Sequence, residues 1–179
     1  MEVLKMNNPV LNAIAERRSI RSYKEEKVTR EQIDILLKAA LEAPSARNAQ
    51  PWHYYVVQNR SIFAEFNEEV EKNAGKETGD IFHGAGTVIF ISGEESSKWA
   101  RLDSGIAVQT IALAAHSIGL GTVILGMPDY AFTGARGDYF KKLLKFREGH
   151  NFTIAVAIGV PAGTKEAHPQ EPDRISFVD

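Results

Sequence analysis

Residues 99–126 read WARLDSGIAVQTIALAAHSIGLGTVILG. The first part, roughly Trp99 to Ser117, has helical length and is apolar on nearly every side, which demands packing on all faces. Gly119 is read as the cap that ends this helix. Thr122 to Leu125 then turns to strand-forming residues, and Gly126, just past the strand, leaves room for a ligand to approach the backbone. The glycines are spaced G-x-G-x-x-x-x-G and lead from a helix into a strand, the reverse of a dinucleotide fingerprint. The apolar run from Gly105 to Leu120 is too short to span a bilayer and contains Gln109, His116 and Ser117, so it reads as a buried helix of a soluble protein. A chain of this size has one core. Burial all round is met either by a central helix in a monomer or by a helix shared with a second subunit.

Working outward, strands are expected at His53–Gln58, Thr87–Ser92 and Thr153–Gly159. A first helix starts near Pro9, with Val10, Leu11 and Ile14 on one face. The second is marked by Thr29 as N-cap, Gln32 completing a capping box, and Ile33, Leu36, Leu37, Ala40 and Leu41 at helical spacing; Pro44 ends it. Ser61 is placed as the cap of a third helix carrying Ile62, Phe63, Phe66 and Val70. Lys72–Gly79 reads as loose, and a short helix carries Tyr139, Phe140, Leu143 and Leu144. Strands interleave with helices, so the class is α/β or α+β with a helix-covered sheet. No linker divides residues 1–179, which are expected to form one domain.

Composition excludes several functions. The 179 residues carry a formal net charge of −2, unlike a nucleic-acid-binding surface. There is no cysteine, so disulfides and thiol chemistry are out and a reducing cytoplasm is the expected location. The start, Met1 to Pro9, has no signal-peptide core. His53, His83, His116, His150 and His168 are scattered and form no zinc pattern. Asp80, Asp103 and Glu94-Glu95 lack partners at metal-ligand spacing and are expected to be solvated or to cap.

Two further segments carry chemistry. Glu16-Arg17-Arg18-Ser19-Ile20-Arg21-Ser22-Tyr23 places three guanidinium groups and two serine hydroxyls where they can converge on a phosphate or another anion, or simply form a solvated basic turn at a helix C-terminus. Ala43-Pro44-Ser45-Ala46-Arg47-Asn48-Ala49-Gln50-Pro51-Trp52 can lay amides against a flat heterocycle, or serve as a plain helix–strand connector.

Together these segments, in this order, resemble the nitroreductase family of flavoproteins. The match lies in its Arg-Arg-Ser-x-Arg opening, its Ala-Pro-Ser-Ala-x-Asn-x-Gln-Pro-Trp segment, its Gly-Leu-Gly-Thr stretch and a last core strand at Ala155–Ala162. It spans about residues 10 to 175. The resemblance implies an α+β, nitroreductase-like fold, with a mostly antiparallel sheet covered by helices and an intertwined homodimer holding FMN at its interface. It implies that Arg17, Arg18 and Ser19 meet the FMN phosphate and ribityl chain, and that Arg21 is the cation beside flavin N1 and O2. Pro44, Ser45, Ala46 and Asn48, with Gln50 beside them, would reach the flavin from the other subunit. Ile124, Leu125 and Gly126 would face N5. Lys165 or His168 would stand in for the basic C-terminal pair of longer members, and the chain's end at Asp179 implies no long embracing arm.

The implied activity is ping-pong transfer of hydride from NADH or NADPH to flavin N5, then to a flat small-molecule acceptor such as a nitroaromatic or quinone. No side-chain acid or base is needed. The competing expectations are a flavin-storing protein without turnover, or a reductive dehalogenase or flavin-fragmenting enzyme on the same fold. The absence of a lid-length insertion between Gly126 and Asn151 leans toward the reductase.

Overall fold

A computed structural model describes residues 8–169 and 171–178; Met1–Asn7, Gln170 and Asp179, including most of the stretch read against a signal peptide, lie outside the described residues. The elements run α1 (Pro9–Glu16), α2 (Arg30–Leu41), β1 (Trp52–Val57), α3 (Arg60–Ala74), β2 (Thr87–Glu94), α4 (Ala100–Ser117), β3 (Gly121–Leu125), α5 (Asp129–Thr133), α6 (Gly137–Leu143) and β4 (His150–Gly159), with 3₁₀ turns at Ala46–Asn48 and Pro172–Arg174. The strands form one sheet ordered β1-β2-β4-β3, and all three pairings are antiparallel. The class is α+β.

Period-two alternation sends the two faces of the sheet into two cores. Val88, Phe90, Ala155 and Ala157 join Phe63, Phe66, Phe132 and Phe140 beneath α3, α5 and α6. Ile89, Ile91, Val156 and Ile158 join Ile33, Leu36, Val108 and Ile111 beneath α2 and α4. Because β2 and β4 are central and covered on both faces, they read as continuous apolar runs. At the Ile91/Ser92 step a bulge shifts the register, and the Thr153 hydroxyl donates to the freed Ile91 carbonyl at 2.9 Å.

The local signals were mostly sound. Thr29 and Gln32 form the full capping box of α2, and Gly119, at φ +79°, follows α4 with Leu120 N–H donating to Ala115 O and Gly119 N–H to His116 O, a Schellman closure. Two expectations are corrected. Asn59, not Ser61, caps α3: its carboxamide oxygen accepts from Ser61 N–H at 3.0 Å. The Lys72–Gly79 stretch is not loose throughout, since α3 continues to Ala74 and ends on left-handed Gly75.

The long helix departs from the expectation in an informative way. Ala107, Ile111, Ala112 and Ala115 are fully buried, yet Leu102 is 62% and Ile106 42% exposed. Within one chain α4 is buried on one side only. The apolar face of α1, with Val10, Leu11 and Ile14, is likewise exposed.

Candidate functional site

The arginine segment leaves α1 and runs along the outer edge of β3. Ser19 bridges Thr122 in parallel, and Ile20 N–H donates to Thr122 O at 2.8 Å. Close contact is possible because the strand offers no side chain there. A Cβ on Gly121 would come within 3.0 Å of Ile20. Further along, Tyr23 lies flat on Gly159 (an added Cβ would be 2.7 Å from its ring), and its hydroxyl donates to Ile20 O at 2.7 Å. Burial pushes the Tyr23 phenol well above its usual range, with Arg21 partly opposing. The first two sequence segments of interest thus meet through β3, as a backbone-bonded wall.

Behind that wall is a cavity of about 270 Å³, lined by Arg17, Arg18, His116, Gly121, Thr122 and Thr164 among others. Arg18 Nη1 donates to Ala15 O at 2.6 Å and Arg17 O at 2.9 Å, capping the end of α1 as the plainer reading held. The Nε groups of Arg17 and Arg18 are nonetheless buried with no hydrogen-bond partner among the described residues. Buried donors without acceptors are costly, and both side chains line the cavity, so an anion there would meet a pair of guanidinium groups. Arg21 lies outside the lining and is exposed, its Nη1 donating to Ser19 O at 3.5 Å.

The third segment, Pro44–Gln50, is a preshaped loop. Arg47, Asn48 and Gln50 take φ of 57°, 56° and 47°, a left-handed conformation that non-glycine residues adopt only under constraint. The constraints are visible. Ser45 Oγ accepts from Gln50 N–H at 3.0 Å, Gln50 Nε2 donates to Asn48 Oδ1 at 3.2 Å, and Ala46 N–H donates to Asp103 Oδ1 at 3.1 Å. Asp103, expected to be solvated or to cap, is 3% exposed; its partner is 57 residues away, which no local spacing could reveal.

The loop and the arginine wall do not meet within one chain. The loop enters β1 at Trp52, opposite Gly93; the wall adjoins Thr122, whose row contains Ile158 and Thr87. From Trp52 to Thr122 is three strand spacings and six residues along the strands, roughly 14 Å by 20 Å, and the wall lies one strand spacing further out. Ile124 is exposed at the surface of β3, whereas Leu125 is buried in the core, so it could meet a ligand only through its backbone. Lys165 and His168 are exposed and stand outside the cavity lining; His168 Nδ1 is 3.0 Å from Pro169 O. Gly163 and Thr164 reach the cavity instead.

His116 was missed as a lining residue: it is one turn before the Gly119 cap, 3.8 Å from Glu16. His83 stands outside that lining. It sits at φ 57° in the loop entering β2, and its pKa is held low first by burial and then by the nearby Arg21 charge, against the pull of Asp80. Among the described residues no group of His, Asp or Glu could hold a metal ion, and no helix is long and apolar enough to cross a membrane.

With this geometry in view, the sequence profile of the Nitroreductase family matches residues 14–160. The chain belongs to the nitroreductase family. It is 32% identical to an FMN reductase [NAD(P)H] of Bacillus subtilis over 185 residues, covering 92% of this chain and 71% of that protein. A protein of Methanothermobacter thermautotrophicus, named provisionally as an NADH dehydrogenase/NAD(P)H nitroreductase, is 35% identical over 93% of this chain and 85% of its own length. A crystal structure of a nitroreductase with bound FMN from Desulfitobacterium hafniense superposes with a TM-score of 0.90 at 35% identity, covering 97% of this chain and all of the other. The nitroreductase fold is therefore common to both.

Proposed function

We propose that this nitroreductase-family chain is an FMN-dependent NAD(P)H oxidoreductase that works as a homodimer with its flavins between the subunits. The observation that carries the reading is that Arg17 and Arg18 both line the cavity beside β3, each with a buried Nε that has no hydrogen-bond partner among the described residues. Family membership and the FMN named in the similar crystal structure support it.

The residues present fit FMN. Arg17 and Arg18 would grip its phosphate with charge-assisted hydrogen bonds, and the Ser19 hydroxyl adds a donor. Arg21 would set a fixed positive charge beside the pyrimidine edge, where electrostatic stabilisation of developing charge is generally worth about 3 kcal/mol. The Ile124–Gly126 backbone would face flavin N5. When bound, FMN supplies a two-electron carrier that takes hydride from a nicotinamide and returns it to an acceptor. The protein's part is to bind, orient and exclude water.

Because the Pro44–Gln50 loop and the arginine wall stand at opposite corners of the sheet, one chain cannot close a flavin site with both. A second copy can. It would bring its loop to the first chain's wall and would cover Leu102, Ile106 and the α1 face, which are exposed in a single chain.

Two measurements test the reading. Purified protein reconstituted with FMN should be yellow and should bleach rapidly with NADH or NADPH. Bleaching only by dithionite would favour a storage protein, and absence of bound flavin would remove the proposal. For the trans arrangement, Arg17→Ala and Asn48→Ala subunits should each bind FMN poorly as homodimers. Mixed after unfolding and refolding, they should regain about half the wild-type flavin content in heterodimers, since each then contains one intact site. No recovery would mean that both segments act within one chain.

A further inference from the structure

We propose that Asp103 is the positioning residue of the flavin-facing loop: its buried carboxylate holds the Ala46 amide and so sets the backbone of Ser45–Gln50. The inference rests on the reading above, in which this loop reaches the flavin. Asp103 stands in the first turn of α4, where the partial positive charge of the helix favours a carboxylate. At 3% exposure it still has to be compensated by hydrogen bonds to be tolerated. Oδ1 takes the Ala46 N–H at 3.1 Å, while Oδ2 has no hydrogen-bond partner among the described residues. Among the described residues, the one hydrogen bond of the Asp103 side chain is therefore to the loop.

The loop needs that anchor. Three of its residues have left-handed backbone, an arrangement that persists only when the surroundings over-determine it. The Ser45 hydroxyl bond to Gln50 N–H lies inside the loop and cannot fix it to the body of the protein. The Asp103 bond does so, and it ties the loop to α4, the helix whose Leu102 and Ile106 are exposed beside it. Anchored there, the loop would be delivered to a second subunit already shaped.

The test compares Asp103→Ala and Asp103→Asn with the wild type in FMN titration, visible spectroscopy of bound flavin, and hydrogen exchange of residues 45–50. Asparagine keeps an acceptor for Ala46 N–H; alanine does not. Asp103→Ala should raise the Kd for FMN by about tenfold to a hundredfold, the range for losing a hydrogen bond to a charged acceptor. It should also shift the visible band of the flavin still bound toward that of free FMN and speed exchange across the loop. Asp103→Asn should restore all three. Wild-type affinity in Asp103→Ala, or an Asp103→Asn variant as defective as alanine, would overturn the inference. Should Asp103→Ala not fold, exchange in Asp103→Asn decides: protection equal to wild type supports the anchor, and lost protection overturns it. Failure of the wild type itself to bind FMN would instead overturn the functional reading, and the exchange comparison would still settle the anchor.

Discussion

The arginine wall and the Pro44–Gln50 loop occupy opposite corners of the same sheet and are held by opposite means. The wall is bonded to a strand edge through Ser19 and Ile20, with glycines at 121 and 159 letting Ile20 and Tyr23 lie against the backbone. Its side chains are cationic, and two of their donors are unspent. The loop has no strand to lean on. Its shape depends on left-handed residues and one long-range carboxylate. The contrast separates two ways to hold a polar segment: cationic side chains on a backbone-bonded edge, and a preshaped turn under local strain.

The comparison can be broken most severely at the grip. Arg17→Ala should raise the Kd for FMN by about a hundredfold or more, because charge-assisted bonds are about twice as strong as neutral ones; fluorescence titration measures it. A change under about threefold would mean that the cavity is not the phosphate site.

Packing comes next. An added methyl at Gly159 would lie 2.7 Å from the Tyr23 ring, and one at Gly93 would lie 2.7 Å from Ala100 Cβ. Overpacking of this kind costs about 1–3 kcal/mol, so Gly159→Ala and Gly93→Ala should both lower Tm. Both should weaken FMN binding, Gly159→Ala through the wall above it and Gly93→Ala through the loop that enters β1 opposite it. Wild-type FMN affinity in Gly93→Ala would show that the loop's corner does not contribute to the site.

Acid should act on the loop's corner by a smaller amount. Burial first, with help from Arg147, holds the His53 and His150 imidazoles below their ordinary pKa, against the pull of Glu94 on His150. The unfolded chain then binds more protons than the folded one once pH falls below about 6.5. Stability present above that pH is lost as pH descends through the folded-state values. Melting curves across about pH 7.5 to 5 should show this loss. His150→Gln, able to keep a hydrogen bond to Ser92 Oγ, now 3.0 Å from Nδ1, should make it shallower; an unchanged slope would acquit His150.

The smallest effect is expected at Arg47. Glycine accepts φ of 57° without the steric penalty, at the cost of a more flexible unfolded chain. Arg47→Gly should leave Tm within a degree or two of wild type or raise it slightly. A clear fall would mean that the arginine side chain, rather than backbone geometry, holds the loop.

Much of the scaffold was legible because its signals are local. A capping box, a glycine after a helix and β-branched runs act over a few residues, and all reappear in α2, α4 and the sheet. Ser61 was misplaced as a cap because the helix starts earlier: Asn59, two residues before it, accepts from the Ser61 N–H and leaves Ser61 inside the first turn. The arginines and the Asn48 loop stood out as candidates by composition, each with a plain structural reading beside it, and only the family resemblance joined them into one site. Their spatial relation did not stand out.

Strand order, the seating of Ser19 on Thr122, the burial of Asp103 and the one-sided exposure of α4 all arise from contacts between residues far apart in sequence. The residues themselves determined which groups could bind an anionic, flat ligand. Folding decided where those groups stand, and it set them at opposite corners of the sheet. The physical reason is that propensity and hydrogen-bond chemistry are short-ranged, whereas burial and sheet pairing are settled only when the whole chain closes around its core.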